Sequence, residues 1–464
     1  MNSRIERDSL GTKRVPSRAY YGVQTQRAVE NFPISGLRLP QEMVRAYGLI
    51  KKAAAATNAK IGGLAPRKAR AIQRACDEVL AGELNDQFVV DAYQAGAGTS
   101  FNMNVNEVVA NRANELLGGR RGTYTRIHPN DHVNMAQSTN DTFPTALRLA
   151  CLMKLPGLLE SLDTLEQAFA RKGREFRTVV KAGRTHLQDA VPVSLGREFS
   201  AYALAIKRSR DHIARTAAAL GELNLGGTAV GTGMNAHPRY RGQAIALLRR
   251  WTGFPLRPAQ DMQERTQSLA DFAHLSSSLR DYSLECVRIC NDLRLMNSGP
   301  NTAMAEIELP AVQPGSSIMP GKVNPVMPEM TAMVCFQVIG HDAAVMMACQ
   351  AGQLELNVMM PVVAYNLLQA MHLLTSASRV LATKCVAGIR VDRARCRLHA
   401  ERSLALVTAL APRIGYLNAA KIAKLSLASH RPIAELVVEQ GLLSAAAARR
   451  VLDPLRLAGL GQGR

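Results

Sequence analysis

The amino-acid sequence predicts an all-α protein whose long central helices pack as a bundle. Apolar side chains recur at alternating steps of three and four residues, a spacing that keeps them on one face of a helix. Alternation with a period of two, which marks half-buried strands, is almost absent. Long helical segments without strands between them favour a bundle over a sheet protein.

Five segments carry this helical pattern. The most regular holds one apolar face for more than three heptads, through Phe272, Leu275, Leu279, Tyr282, Cys286, Ile289, Leu293 and Met296. The second contains Leu155, Leu158, Leu162, Leu165, Phe169 and Phe176. The other three are residues 198–223, 329–350 and 361–386. An apolar face of this length needs partner helices to cover it.

Breaks in the pattern divide the chain into three segments. Residues 1–140 mix shorter helices with proline-containing loops, and residues 141–393 carry the long apolar series. Residues 394–464 hold compact helical pieces separated by Pro412, Gly415 and Pro432. Because no low-complexity linker lies between the segments, we expect them to pack together.

The composition indicates a cytoplasmic protein. The N-terminus is polar and does not resemble a secretory signal. The most apolar tract, residues 327–351, contains Glu329, Gln337, His341 and Asp342, which would be costly in hydrocarbon, so we expect a buried helix there. The eight cysteines are dispersed and only Cys286 and Cys290 share a helix face, which predicts reduced core thiols.

The formal net charge of +20 is compatible with two classes of protein. Nucleic-acid binding would favour clustered basic stretches, whereas the arginines here are scattered along helices. A charge without function, or one that attracts small dianions, is the favoured interpretation. The alternative is a basic nucleic-acid-binding or scaffolding protein that retains an enzyme fold.

Four polar, glycine-containing stretches do not fit the helical pattern. They are residues 96–104, 128–141, 183–189 and 315–325. They supply short hydroxyl and amide donors, a lysine, and glycines that allow a ligand to approach the backbone. Such an inventory can satisfy the four oxygens of a dicarboxylate. Each stretch alone is better explained as a helix cap or a loop, and a single histidine such as His186 as a core residue, but four such stretches in one helical chain favour a site. The glycine-rich residues 226–233 follow a predicted helix, and we interpret them as a flexible connection near the site.

The stretch GSSIMPGKVNP at residues 315–325 resembles the signature loop of the aspartase/fumarase superfamily. The other three stretches match the remaining site segments of that family in the same order, and the resemblance runs from Leu10 to beyond Leu443. GAGTS at residues 96–100 and KVNPVMPE at residues 322–329 are more similar to the aspartase branch than to class II fumarases.

The resemblance implies a three-domain fold whose central helices form a twenty-helix core in a homotetramer, with active sites built from three subunits. It implies an ammonia-lyase that converts L-aspartate to fumarate through an aci-carboxylate intermediate, with neither cofactor nor metal. The alternative is hydration of fumarate to L-malate, because the two reactions differ only in the leaving group. Nucleic acid is not an expected partner.

The resemblance also implies a role for each candidate residue. Ser316 is the expected base, activated by Lys322, by backbone N–H groups of its loop, and by loop closure. The expected ligands of the β-carboxylate are Thr99, Ser138, Thr139 and Ser317. The expected ligands of the α-carboxylate are Lys322 and Asn324, and those of the amino group are Asn140, Thr185 and His186. His186 is also expected to act in catalysis, by orienting the amino group or assisting its departure.

Two further groups are expected around this site. Glu329 would support His186. His128, Asn130 and Asp131 match a secondary dicarboxylate site of the family, and a helix-capping turn is the equally weighted alternative.

Overall fold

The computed structural model describes residues 2–460 and is predominantly α-helical, which confirms the predicted fold class. The helices are α1 (Val23–Asn31), α2 (Gln41–Lys60), α3 (Pro66–Ala81), α4 (Thr99–Leu116), α5 (Thr139–Glu175), α6 (Leu195–Ala217), α7 (Tyr240–Thr252), α8 (Glu264–Gln267), α9 (Ala270–Met296), α10 (Val326–Gln350), α11 (Met360–Lys384), α12 (Arg393–Arg402), α13 (Val407–Ile414), α14 (Tyr416–Ser429), α15 (Ile433–Glu439), α16 (Ala445–Val451) and α17 (Pro454–Leu457).

Short strands pair in twos. They are β1 (Ser3–Asp8) with β2 (Gly11–Pro16), β3 (Val180–Thr185) with β4 (Gln188–Ser194), β5 (Glu222–Leu223) with β6 (Arg257–Pro258), and β7 (Ile307–Glu308) with β8 (Arg390–Val391). The pair β5–β6 is parallel and the others are antiparallel. The hairpins β1–β2 and β3–β4 are the largest departures from the predicted all-helical pattern.

The two most regular apolar series lie where the spacing predicts. The series that begins at Phe272 lies on α9, and all eight of its members are buried. On α5 and just beyond its end, Leu158, Leu162, Leu165, Phe169 and Phe176 are buried as well, whereas Leu155 is half-buried. Spacings of three and four residues therefore gave both the position and the inward face of the longest helices.

Helix α10 has two apolar faces. Ala332, Cys335, Val338 and Val345 are buried, whereas Met333, Phe336, Met346 and Met347 are exposed in the single chain. The prediction of a buried helix is thus correct for one face only. Among residues 2–460, α10 alone is long and apolar enough to cross a membrane, a test that the core helix of a soluble protein also passes.

Contacts group the chain into two compact units, each described by itself. Unit 1 comprises the residues up to Leu159 together with Asp211–Asp281 and Phe336–Leu374. Unit 2 comprises Glu160–Arg210, Tyr282–Cys335 and the residues from Thr375 onward. The division into three segments at residues 140 and 393 stays a prediction.

The last helices of unit 2 share a core of their own. It is formed by Leu406, Leu410, Ile422, Ile433, Leu436, Val437, Ala448 and Leu452. This agrees with the compact helical pieces predicted at the end of the chain. All eight cysteines are free, and all but Cys349 are fully buried, as the prediction of reduced core thiols requires.

Candidate active site

Two helices of unit 1 begin at predicted site residues. Thr99 is the first residue of α4, and Thr139 is the first residue of α5. The free N–H groups at a helix N-terminus favour a bound carboxylate. We call the hydroxyl groups at these two helix starts, Thr99, Ser138 and Thr139, the hydroxyl clamp.

The start of α4 requires glycine. Gly98 has φ +82°, a left-handed conformation, and a Cβ added to it would lie 2.1 Å from the ring of Phe143. Ala97 before it also has a positive φ of 59°. This sharp entry brings Thr99 to the surface at the first turn of the helix.

Local hydrogen bonds fix the start of α5. The backbone N–H of Asn140 donates to Ser138 Oγ (3.2 Å), and Asn102 Nδ2 donates to Thr139 Oγ1 (3.0 Å). The Asn140 side chain donates to the carbonyl of Ala229 (2.7 Å). Each of the three predicted residues therefore has a defined partner within unit 1.

Buried Asp141 ties the glycine-rich run to the same helix start. Its Oδ2 accepts hydrogen bonds from the backbone N–H groups of Gly226 (2.9 Å) and Thr228 (3.1 Å), and its Oδ1 accepts one from Ser138 (2.9 Å). Burial raises the pKa of Asp141 to about 7, and these three N–H groups oppose that shift. Residues 226–233 are thus joined to the start of α5 through Gly226, Thr228 and Ala229, and their interpretation as a flexible connection stays a prediction.

A buried lysine beneath the hydroxyl clamp was not predicted. Lys51 of α2 is fully buried, and its ammonium donates to three side-chain amide oxygens. The signal was present in the sequence, because Lys51 shares a helix face with Tyr47, Ala54 and Asn58, all of them buried.

In unit 2, a tight hairpin carries Thr185 and His186. Thr185 ends β3, and the turn to β4 consists of His186 (φ 55°) and Leu187 (φ 58°). Two consecutive positive φ values are those of a type I′ turn, which usually contains Asn or Gly. Such strained residues are most frequent at functional sites, and both side chains are exposed here.

A buried carboxylate supports this hairpin from below. Glu306 is fully buried, and its Oε1 lies 2.8 Å from Arg184 Nη1 and 2.9 Å from His399 Nδ1. Lys181 Nζ is 3.4 Å from the other oxygen. Arg184 and Lys181 belong to β3, so these ion pairs hold the strand that ends at Thr185.

The serine loop, residues 315–325, closes on itself. The N–H of Gly315 donates to the carbonyl of Lys322 (2.9 Å), and Asn324 Nδ2 donates to the carbonyl of Gly315 (2.6 Å). A Cβ on Gly315 would lie 2.3 Å from the Lys322 oxygen, so only glycine allows this closure.

Within the serine loop, Ser316 Oγ accepts two backbone hydrogen bonds. The donors are the N–H groups of Ile318 (3.2 Å) and Met319 (3.0 Å). Two N–H donors aimed at one oxygen favour its anionic form. Ser317 and Lys322 are exposed, and Lys322 forms no ion pair with any residue of the described chain.

The candidate residues therefore fall into two sets. Unit 1 contains Thr99, Ser138, Thr139 and Asn140, and unit 2 contains Thr185, His186, Ser316, Ser317, Lys322, Asn324 and Glu329. No ion pair joins Glu329 to His186 among residues 2–460, so that expected support stays a prediction.

His128, Asn130 and Asp131 lie at a short π-helical turn, Pro129–Val133. His128 Nδ1 accepts a hydrogen bond from the Asp131 N–H (3.3 Å), which is the capping geometry that the alternative describes. Next to them, Lys68 Nζ lies 2.7 Å from His132 Nε2. The secondary dicarboxylate site stays a prediction.

An open cavity of about 1230 Å³ lies elsewhere in unit 2. Arg397, Arg449 and Arg456 are among the residues that line it, and none of the candidate site residues does. In residues 2–460, no group of three or more His, Cys, Asp or Glu side chains is placed to hold a metal ion.

Known proteins resemble this chain over almost its full length. A family model described as lyase matches residues 11–340, and one described as fumarase C C-terminus matches residues 406–459. The aspartate ammonia-lyase of Bacillus sp is 48% identical, with 98% of this chain and 97% of that protein aligned.

Two solved structures have the same fold. The crystal structure of fumarate lyase:delta crystallin from Brucella melitensis bound to cobalt has a TM-score of 0.96 and 50% identity, and covers 98% of this chain and 100% of its own. Class II fumarase from Schistosoma mansoni has a TM-score of 0.96 and 37% identity, and covers 99% of this chain and 100% of its own.

Proposed function

This chain belongs to the lyase family whose model it matches over residues 11–340, and we propose that it eliminates ammonia from L-aspartate to give fumarate. It is a carbon–nitrogen lyase. The observation that carries the assignment is 48% identity to an aspartate ammonia-lyase along nearly the whole chain. Fumarate hydration is less well supported, because identity to the class II fumarase is 37%.

The difficult step is removal of a proton from the carbon next to the β-carboxylate. The electron pair left behind moves onto that carboxylate, which becomes a doubly charged aci-carboxylate. Catalysis therefore needs hydrogen-bond donors aimed at those oxygens. The hydroxyl clamp supplies Thr99, Ser138 and Thr139 at two helix N-termini, and Ser317 adds a fourth hydroxyl. One well-aimed donor contributes roughly 3 kcal/mol to stabilising such a transition state.

Ser316 accepts the proton. Its Oγ already accepts hydrogen bonds from the N–H groups of Ile318 and Met319. These two bonds stabilise the alkoxide that the reaction requires. The exposed Lys322 ammonium adds positive charge to the same loop. Closure of the loop over substrate would exclude water and strengthen all of these interactions.

The second step breaks the carbon–nitrogen bond. The electron pair of the aci-carboxylate returns to form the double bond of fumarate, and ammonia leaves with the bonding electrons. Asn140, Thr185 and His186 hold the amino group, with Glu329 behind His186. Lys322 and Asn324 hold the α-carboxylate, which does not change its charge.

The active site is assembled from three copies of the chain in a homotetramer. Support comes from the exposed apolar face of α10, with Met333, Phe336 and Met347, because an apolar face of this size is normally covered by another chain. The free, buried cysteines agree with a cytoplasmic location. His128, Asn130 and Asp131 provide a secondary site for the same class of dicarboxylate.

A paired assay tests the substrate. Purified protein is given L-aspartate or L-malate under the same conditions, and the ultraviolet absorption of fumarate is followed. We expect fumarate from aspartate at a rate far above that from malate. The reverse order would assign the chain to the hydratase branch instead.

A further inference from the structure

The ammonium of Lys51 is buried without a carboxylate in direct contact. Its Nζ donates to Asn102 Oδ1 (2.9 Å), Asn134 Oδ1 (3.0 Å) and Gln137 Oε1 (3.0 Å). An ammonium has three donors and no acceptor, so all three of its hydrogens are used. Burial lowers the pKa of Lys51 to about 7, and the negative charge of Asp141 opposes that shift.

Two of the three amides are oriented independently of Lys51. The Asn134 amide nitrogen donates to the carbonyl of Gln137 (3.2 Å). The Gln137 amide nitrogen donates to the carbonyls of Val133 (3.0 Å) and Met135 (3.1 Å). Backbone carbonyls can only accept, so both amide oxygens must face inward, where they form a receptor for a cation.

The third amide, that of Asn102, reaches the hydroxyl clamp. In its ammonium form, which the inward-facing oxygens of Asn134 and Gln137 favour, Lys51 can only donate, so the oxygen of Asn102 faces it as well. The Asn102 amide nitrogen then donates to Thr139 Oγ1 (3.0 Å) and to Asn134 Oδ1 (3.4 Å). Asn102 is buried, and this orientation cannot be reversed without leaving a donor against a donor.

The orientation of Asn102 determines where the hydrogen of the Thr139 hydroxyl points. A hydroxyl has one hydrogen and can accept as well. Since Thr139 Oγ1 accepts from Asn102, its hydrogen must point elsewhere, and no acceptor for it lies among residues 2–460. The hydroxyl is therefore held as a donor that awaits an acceptor from outside the chain.

We propose that Lys51 and Asn102 are positioning residues that keep the Thr139 hydroxyl a hydrogen-bond donor toward the substrate carboxylate. The inference rests on the proposed function, because it needs Thr139 to bind that carboxylate. It extends the site by two buried side chains that do not touch substrate.

The test is Asn102→Asp. A carboxylate has the shape of the amide and pairs favourably with Lys51, but its second oxygen accepts from Thr139 instead of donating to it. The Thr139 hydrogen is then drawn away from the substrate. We expect kcat/KM for L-aspartate to fall about 100-fold or more while the protein stays folded.

The comparison variant is Asn102→Ala, which removes the donor without reversing the hydroxyl. We expect a smaller loss from Ala than from Asp. A purely structural role for Asn102 predicts the opposite order, because Asp conserves shape and Ala leaves a cavity. That opposite order would overturn the proposal. If the Asp variant does not fold, Asn102→Ala can take its place. The energetic coupling between Asn102→Ala and Thr139→Val can then be measured without the Asp variant.

A double-mutant cycle with Thr139→Val completes the design. We expect Asn102→Asp to cost nothing further once the Thr139 hydroxyl is gone. Additive losses would show that Asn102 acts by another route and would overturn the inference alone. If Thr139→Val by itself kept the wild-type kcat/KM, the proposed carboxylate clamp would fail, and this inference with it.

Discussion

The hydroxyl clamp of unit 1 and the serine loop of unit 2 hold their side chains in opposite ways. Thr139 lies over a buried layer in which Lys51, Asn102 and Asp141 have every polar partner supplied by the protein. Ser316 lies in a loop whose hydrogen bonds join residues 315–325 to one another and to the first turn of α10, and whose other side chains are largely exposed.

This difference matches the two tasks of the proposed site, which are to bind the substrate carboxylate and to bring a base to the substrate. A donor that must meet developing charge gains most from being oriented in advance, because no reorganisation is then needed during the reaction. A base that must approach the substrate and then let product leave gains from a segment that can move at low cost. Function should therefore be most sensitive in the serine loop, and stability most sensitive beneath the hydroxyl clamp.

The largest effect is expected from Ser316→Ala. Removal of the base should lower kcat for L-aspartate by about a thousandfold or more. The other catalytic groups act on the carbanion that the base creates, so their contribution is lost with it. The free energy of unfolding should hardly change, since Ser316 Oγ makes only local bonds. Steady-state kinetics and denaturant unfolding measure the two quantities.

The matched control is Ser429→Ala, an exposed serine whose Oγ also makes only a local hydrogen bond, which it donates to the carbonyl of Leu425. It should keep wild-type activity. A Ser316→Ala variant with near-normal kcat would show that another group removes the proton.

The next effect, on stability, is expected from Gly98→Ala. The new methyl group would overlap the Phe143 ring, and the residue would be held at φ +82°. Overpacking and backbone strain together should cost about 3 kcal/mol of unfolding free energy, measured by urea denaturation.

Gly321→Ala in the serine loop separates the two causes. Gly321 also has a left-handed φ, +85°, but no heavy atom lies within 4 Å of the position of a Cβ. Backbone strain alone should cost about 1 kcal/mol there. Equal losses at the two glycines would mean that the clamp is no more tightly packed than the loop.

The sequence predicted those helices in which apolar residues recur at a regular helical spacing. The face of α9 from Phe272 to Met296 could be recognised because helical spacing and burial have one cause, the need to cover apolar area. The four polar stretches were found because they interrupt that pattern, and their assignment to a site came from the family resemblance.

What was missed depends on partners that are distant in sequence. The β3–β4 hairpin has a two-residue turn of His186 and Leu187, which carries no Asn or Gly signal. Lys51 was overlooked because a lysine is normally solvated, and the amides that bind it lie more than fifty residues away. No local pattern encodes such a receptor.

A separate effect, on pH dependence, is expected from Asp141→Asn. Burial raises the pKa of Asp141 to about 7 in the folded protein, whereas the unfolded chain releases this proton near the ordinary value of 3.8. Between these two values the folded state binds more protons, so the unfolding free energy falls as pH rises, by about 1 kcal/mol per pH unit. An asparagine has no proton to release, so the variant should lose this slope.

Urea denaturation of both proteins from about pH 4.5 to about pH 7.5 measures the slope, with Asp86→Asn, an exposed carboxylate, as the control that keeps it. The variant should be less stable than wild type near the lower end, where the wild type has not yet lost stability to this titration, because an amide can turn only one oxygen toward the three N–H groups that Asp141 accepts. An unchanged slope would mean that these N–H groups and Lys51 keep Asp141 ionised despite its burial. The layer beneath the hydroxyl clamp would then hold the negative charge of Asp141 and the positive charge of Lys51 across this pH range, and burial would not set the charge state of Asp141.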